Sequence, residues 1–179
     1  MSGLDEDTCD NTETLLDAAF HGSFEAIKAL IANAQLDARD DSDRTLLMIA
    51  AKNGYSECVE MLIDSKADIN AEDSEYRSAL MWSVENGHLE TAALLIDANA
   101  HLEVVESCGW TPMTWAAEEG NADMVKLLLA GKAHVDGTET SHWTPLTYAA
   151  ANGHRETLAV LLAAKASLEA RGNHDRTPL

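Results

Sequence analysis

Thr144-Pro145-Leu146-Thr147-Tyr148-Ala149-Ala150-Ala151-Asn152-Gly153-His154 is the stretch on which the fold turns. A threonine ahead of a proline marks a helix start. Its hydroxyl can accept an orphan backbone N–H, and proline suits the first helical position, where no N–H is required. The alanine pair at 149 and 150 lets another helix approach closely. Gly153 can take the left-handed conformation that ends the helix. Glu156 then stands at the head of a second segment, where a carboxylate complements the helix dipole. That segment closes on Val160-Leu161-Leu162. The spacing predicts a short helix, a glycine break and a second helix.

The same unit recurs along the chain at a period of 33 residues, with one step of 32. Leu15, Leu47, Leu80, Met113, Leu146 and Leu179 form one column, and Gly22, Gly54, Gly87, Gly120 and Gly153 another. Between them fall Ala18-Ala19, Ala50-Ala51, Ser83-Val84, Ala116-Ala117 and Ala149-Ala150. Thr111-Pro112 and Thr177-Pro178 repeat the capping pair, and Glu25, Glu57, Glu90 and Asp123 repeat the leading acid. No single unit can bury its apolar face alone, so the units must stack into a solenoid. Five helix pairs are expected, over about 13–34, 45–67, 78–100, 111–133 and 144–166, with Thr177-Pro178-Leu179 opening a sixth unit. Leu158, Leu161 and Leu162 then lack a following helix, which points to a truncated chain or to a neighbour docked at the C-terminal end.

The 144–154 stretch resembles the ankyrin signature Thr-Pro-Leu-His-x-Ala-Ala-x-x-Gly-His, and Ala67-Asp68-Ile69-Asn70-Ala71 resembles the start of the ankyrin β-hairpin. The resemblance covers residues 13 to 179. It implies an all-α repeat solenoid of paired antiparallel helices joined by β-hairpin loops, with repeats at about 13–44, 45–77, 78–110, 111–143 and 144–176, a partial one at 177–179, and a repeat domain over 12–179. It also implies a non-catalytic module or scaffold that binds a partner protein through its concave face and hairpin tips. Two departures stand out. The family histidine after the leucine is replaced by Leu16, Met48, Met81, Thr114 and Thr147, removing its usual hydrogen bond. The hairpin glycine survives only as Gly109, with Asp43, Tyr76, His142 and Asp175 in its place. Leu62 with Asp68 and Asn70 resembles the ankyrin pattern that attracts asparaginyl hydroxylation, which makes Asn70 a candidate site against the plainer reading of a hairpin asparagine.

Thirty-one acids against 12 Lys and Arg give a formal charge of −19. That balance argues against wrapping nucleic acid or lying on an anionic membrane, since both need a basic face. Asp5, Glu6, Asp7 and Asp10 precede the first basic residue, Lys28, so residues 1–11 read as an acidic, solvated arm. Cys9, Cys58 and Cys108 make no paired framework, and the N-terminus lacks a secretory pattern. A soluble protein of a reducing intracellular compartment, the cytoplasm first, is expected. No phosphate loop, nucleophile elbow or paired Cys-x-x-Cys is present, and the seven histidines are scattered, His88 and His154 at the family's Gly-His slot. No enzyme, metal or cofactor is expected.

Surface columns carry the functional expectation. On a helical wheel at about 100° per residue, the residue two after the column leucine points away from the stack: Asp17, Ile49, Trp82, Trp115 and Tyr148. The residue before the capping position reads Arg44, Arg77, Trp110, Trp143 and Arg176. The resemblance makes this second slot, the hairpin tips and the two residues before the glycine the contact surface. The candidate partner-binding set is Arg44, Arg77, Trp82, Trp110, Trp115, Trp143 and Tyr148, with Glu85, Glu118 and Glu119 as an acidic rim. Trp82, Trp115 and Tyr148 have a second reading, as packing beneath their own hairpins. The rim suits a partner with a basic or mixed-charge segment. Two other readings stay open: an architectural subunit using its outer helices or C-terminal end, and a methyl-lysine reader built on an aromatic–acidic cage.

Overall fold

A computed structural model describes residues 39–137 and 143–168, with single positions before them (14, 17–19, 21, 23 and 36). The acidic arm, most of the first helix pair, His142 and the sixth-repeat start lie outside the described residues. Four complete helix pairs lie within them. They are α1 (Leu46–Lys52) with α2 (Ser56–Asp64), α3 (Ala79–Glu85) with α4 (Leu89–Asp97), α5 (Pro112–Glu118) with α6 (Ala122–Ala130), and α7 (Pro145–Ala151) with α8 (Arg155–Ala163).

Each first helix begins as the capping pattern requires. Thr45, Ser78, Thr111 and Thr144 sit in extended backbone, and their hydroxyls accept the N–H of Met48, Met81, Thr114 and Thr147. Each one ends at a glycine with φ between 71° and 75°, and the following N–H folds back, as Tyr55 does onto the Ala50 carbonyl. At Gly54 and Gly120 the absent side chain serves a second purpose. An added Cβ would collide with the His88 or His154 ring of the next repeat. Those rings donate from Nε2 to the Lys52 and Glu118 carbonyls at 3.0 and 2.8 Å, satisfying groups at a helix end. The second helices end in the same left-handed turn without glycine, at Lys66, Asn99, Lys132 and Lys165.

First helices pack on first helices and second on second down the stack. The column residues Leu47, Leu80, Met113 and Leu146 are buried, as are Leu62, Leu95, Leu128 and Leu161. Burying each such side chain contributes roughly 2 kcal/mol. Ser83, in a small-residue slot, satisfies its buried hydroxyl by donating to the Leu80 carbonyl at 2.7 Å.

The hairpins are tighter than the resemblance implies. Among the described residues no strand forms, only an isolated antiparallel bridge between Arg39 and Thr45. The three described hairpin tips each close with a pair of backbone bonds, such as Asp73 N–H to Arg77 O and Tyr76 N–H to Asp73 O. Tips are linked by single bonds, Ser74 N–H to Ser42 O and Ser107 N–H to Glu75 O. Behind them a side-chain column continues the linkage: Asn70, Glu103 and Asp136 each accept a backbone N–H of the next repeat, from His101, His134 and Ser167, at 2.8 Å.

Two expectations need correction. The bond lost with the family histidine is replaced in three repeats. Thr114 and Thr147 share hydroxyl bonds with Thr111 and Thr144 at 3.0 and 3.1 Å, and the Met48 sulfur accepts the Thr45 N–H at 3.4 Å. The column two after the leucine is not uniformly outward. Ile49 and Trp82 are buried, Trp82 at 5% exposure beneath the side chains of Arg77, Lys52 and Arg44. Trp115 and Tyr148 are half-buried.

Candidate protein-interaction face

Three slots surround each residue of that column, two from the repeat before and one from its own hairpin. Around Trp82 they hold three cations. Arg77 lies 3.8 Å from the ring centroid, Lys52 4.4 Å and Arg44 5.9 Å. Asp73 completes this station. Its one carboxylate oxygen accepts the N–H groups of Glu75 and Arg77 at 2.9 Å, and the other accepts the Trp82 indole N–H at 3.0 Å. Arg77 also pairs with Glu75 at 2.9 Å and Glu85 at 3.4 Å. It lies within 3.6 Å of Asp73, although its Nε makes no hydrogen bond. Trp82 is therefore a buried, fully engaged side chain rather than an open anchor.

One repeat later the same slots read Arg77, Glu85 and Trp110 around Trp115, and one further Trp110, Glu118 and Trp143 around Tyr148. The cation stack gives way to rings. Trp110 packs edge-on against Trp115, with centroids 4.6 Å apart, and against Tyr148 of the next repeat at 4.9 Å. Trp143 continues the ladder against Tyr148 at 5.2 Å. Such pairs contribute about 1 kcal/mol beyond their buried area. Glu106 takes the register of Asp73 but not its bonding. It is 6% exposed, and both its Oε1 and the Trp115 indole N–H are buried without a hydrogen-bond partner.

The acidic rim lies at the ends of the first helices. Glu119 is exposed, and Glu85 and Glu118 are half-buried. Burial pushes the Glu85 carboxyl above its ordinary value; Arg77 and Lys52 pull it back in part, and Glu106 and Glu75 add to the rise. At Asp40, partner of Arg44 at 2.7 Å, burial also pushes upward, but bonds from the Arg44 side chain, its N–H and the Ser42 N–H outweigh it and hold the carboxyl low. The asparagines of this rim are tied down: Asn53 and Asn86 donate to the Ile49 and Trp82 carbonyls, and Asn152 to Glu118.

The structure thus gathers Trp110, Trp115, Trp143 and Tyr148 into one ladder and places Arg44 and Arg77 at a separate, self-paired station. Asn70 makes none of these contacts; its carboxamide oxygen accepts the His101 N–H. The unpaired Glu106 was missed by sequence reasoning, although its register with Asp73 and the change from Arg77 to Trp110 could have found it.

Among the described residues no group of three or more His, Cys, Asp or Glu side chains is placed to hold a metal. No helix there is long and apolar enough to cross a membrane. Cys58 is a buried thiol pushed up by desolvation and by Glu57, and Cys108 is an exposed free thiol. At the C-terminal end of the described chain Leu162 and Leu168 are 44% and 45% exposed.

The family model for ankyrin repeats (3 copies) matches residues 15–106 and again 80–172. No curated protein gives a significant match.

Proposed function

The chain belongs to the ankyrin-repeat family, and from that premise we propose that it is a non-catalytic module gripping a partner protein along the ladder Trp115–Trp110–Tyr148–Trp143. Repeats of this family generally serve as protein–protein interaction modules and are typically non-catalytic. The observation that carries the reading is the ladder itself: four half-buried rings on the hairpin side, beside Glu118 and Glu119. Aromatic side chains dominate interface hot spots, and an acidic rim steers a basic segment toward them. The partner we infer carries Lys or Arg. Free Cys58 and Cys108 support a reducing intracellular setting.

The test is capture of the partner from the native source by wild type and by two double variants, Trp110→Ala/Trp143→Ala and Glu118→Lys/Glu119→Lys. Both variants should lose at least about ten-fold in recovery, a difference near 1.4 kcal/mol. The charge variant should keep the wild-type thermal midpoint. Undiminished capture by both would sink the proposal.

A second reading has its own observation. Exposed Leu162 and Leu168 favour an architectural role through the C-terminal end. Loss of partner on Leu162→Glu, with the ladder variants silent, would select it. Methyl-lysine capture has less support: the rings contact one another at 4.6 to 5.2 Å instead of standing apart around a cavity.

A further inference from the structure

The chain contains, one repeat before the ladder, a worked example of what the ladder lacks. At Trp82 a guanidinium lies on the ring face and its nitrogens reach Glu75 and Glu85. Moving one repeat along, the acids persist while two of the three cation slots change and only that of Arg44 stays basic, as Arg77; around Tyr148, one repeat further, none of the three is basic. Asp73 becomes Glu106, Glu85 becomes Glu118, and Trp82 becomes Trp115, but Lys52 is answered by Glu85 and Arg77 by Trp110. Among the described residues Glu118 makes no ion pair comparable to that of Glu85 with Arg77; its backbone carbonyl accepts from Asn152 and His154, and the residue is half-exposed. Glu106, more than nine-tenths buried and with Oε1 unpartnered, adds an acidic group that makes no ion pair with a cation among the described residues. It lies near enough to Glu85 to act on its carboxyl electrostatically.

We propose that the Trp110–Tyr148–Trp143 part of the ladder is a receptor for an arginine side chain of the partner, its guanidinium stacked on the rings and paired with Glu118. This rests on the reading of the ladder as the protein-binding face, and names the residue it selects. A guanidinium is planar, more weakly hydrated than an ammonium and able to stack while offering a fork of donors to a carboxylate. Lysine brings the same charge without the plane. Arg77 makes both contacts at once within this chain, so the geometry is attainable on this scaffold.

The experiment uses the full chain and two blocked pentapeptides that differ only in a central arginine or lysine among glycines. The readout is the indole N–H resonances of the four tryptophans. The arginine peptide should shift the Trp110 and Trp143 signals saturably and bind roughly ten-fold more tightly than the lysine peptide. The Trp82 signal should stay in place, because Arg77 already covers that ring. Glu118→Gln, at a half-exposed site, should remove the preference while leaving the Trp82 signal as the marker of a folded chain. Equal affinity for the two peptides, no saturable shift, or an unchanged preference in Glu118→Gln would each overturn the inference. If partner capture still depends on Trp110 and Trp143 while the peptides fail to differ, the binding face stands and only the arginine assignment falls. If capture ignores both tryptophans, the face itself is wrong.

Discussion

Trp82 and Trp115 occupy the same position of consecutive repeats and have different surroundings. Trp82 is closed over by Arg77, Lys52 and Arg44, and its indole N–H is bonded to Asp73. Trp115 is covered by a second tryptophan, and its N–H and the Glu106 oxygen that would answer it are both unpartnered. The repeat backbone is the same in both places, so the difference lies in which side chains fill three surrounding slots. The first arrangement completes its interactions internally and contributes to stability. The second leaves two buried polar groups without hydrogen-bond partners, and it is there that the proposed binding face lies.

The widest gap should appear on truncation. Trp82→Ala removes a buried ring and orphans Asp73, and should cost about 4 kcal/mol. Trp143→Ala, at the half-exposed end of the ladder, should cost about 1 kcal/mol. Urea unfolding of both variants measures this, and equal losses would abolish the distinction. The acids should diverge next. Asp73→Asn disturbs the pairing of a buried carboxylate with Arg77 and is expected to cost about 3 kcal/mol. Glu106→Gln, which breaks no hydrogen bond at Oε1, should stay within about 0.5 kcal/mol of wild type or gain stability.

Transplanting the cation sharpens the comparison further. Trp110→Arg should be about 1 kcal/mol more stable than Trp110→Ala, because it offers Trp115 and Glu106 the contacts that Arg77 gives Trp82 and Asp73. It should also lose the partner, since the receptor would then be filled from within. A pH series separates two carboxylates by sign. Glu85 has a raised folded pKa, so the stability it adds is complete below its ordinary value of 4.5 and declines as pH rises through the raised value. Asp40 has a lowered one, so its contribution is complete above 3.8 and is lost as pH falls through the lowered value. Glu85→Gln should remove the first slope and Asp40→Asn the second. The smallest effect belongs to the hairpin tips. Tyr76, 59% exposed, holds φ at 61° where Gly109 holds 88° one repeat later. Tyr76→Gly should gain about 0.5 kcal/mol in thermal unfolding by relieving that strain.

The repeat architecture was legible because it is written in residues with few alternatives: the Thr-Pro caps, the glycines at positive φ and the leucine columns. The same reading found the aromatic slots. It could not separate Trp82 from Trp115, since a helical wheel gives direction but not what lies overhead. That depended on Arg77 versus Trp110 and on Asp73 versus Glu106, differences of reach and hydrogen-bond geometry. The left-handed Lys66, Asn99, Lys132 and Lys165 escaped notice because no glycine marks the turn. The inter-repeat bonds of Asn70, Glu103 and Asp136 were hidden because three different residue types accept the same N–H.

The edge-on contact of Trp110 with Trp115, 4.6 Å between centroids, has an optical consequence. Two indoles this close and inclined at 64° couple their electronic transitions and should produce a paired positive and negative band in circular dichroism. Trp82 has no such companion among the ring contacts of the described residues. The band would therefore report on the junction between the third and fourth repeats, where Trp110 meets Trp115. It would give an intrinsic, dye-free signal of a guest settling on that junction, or of the junction parting before the rest of the solenoid melts.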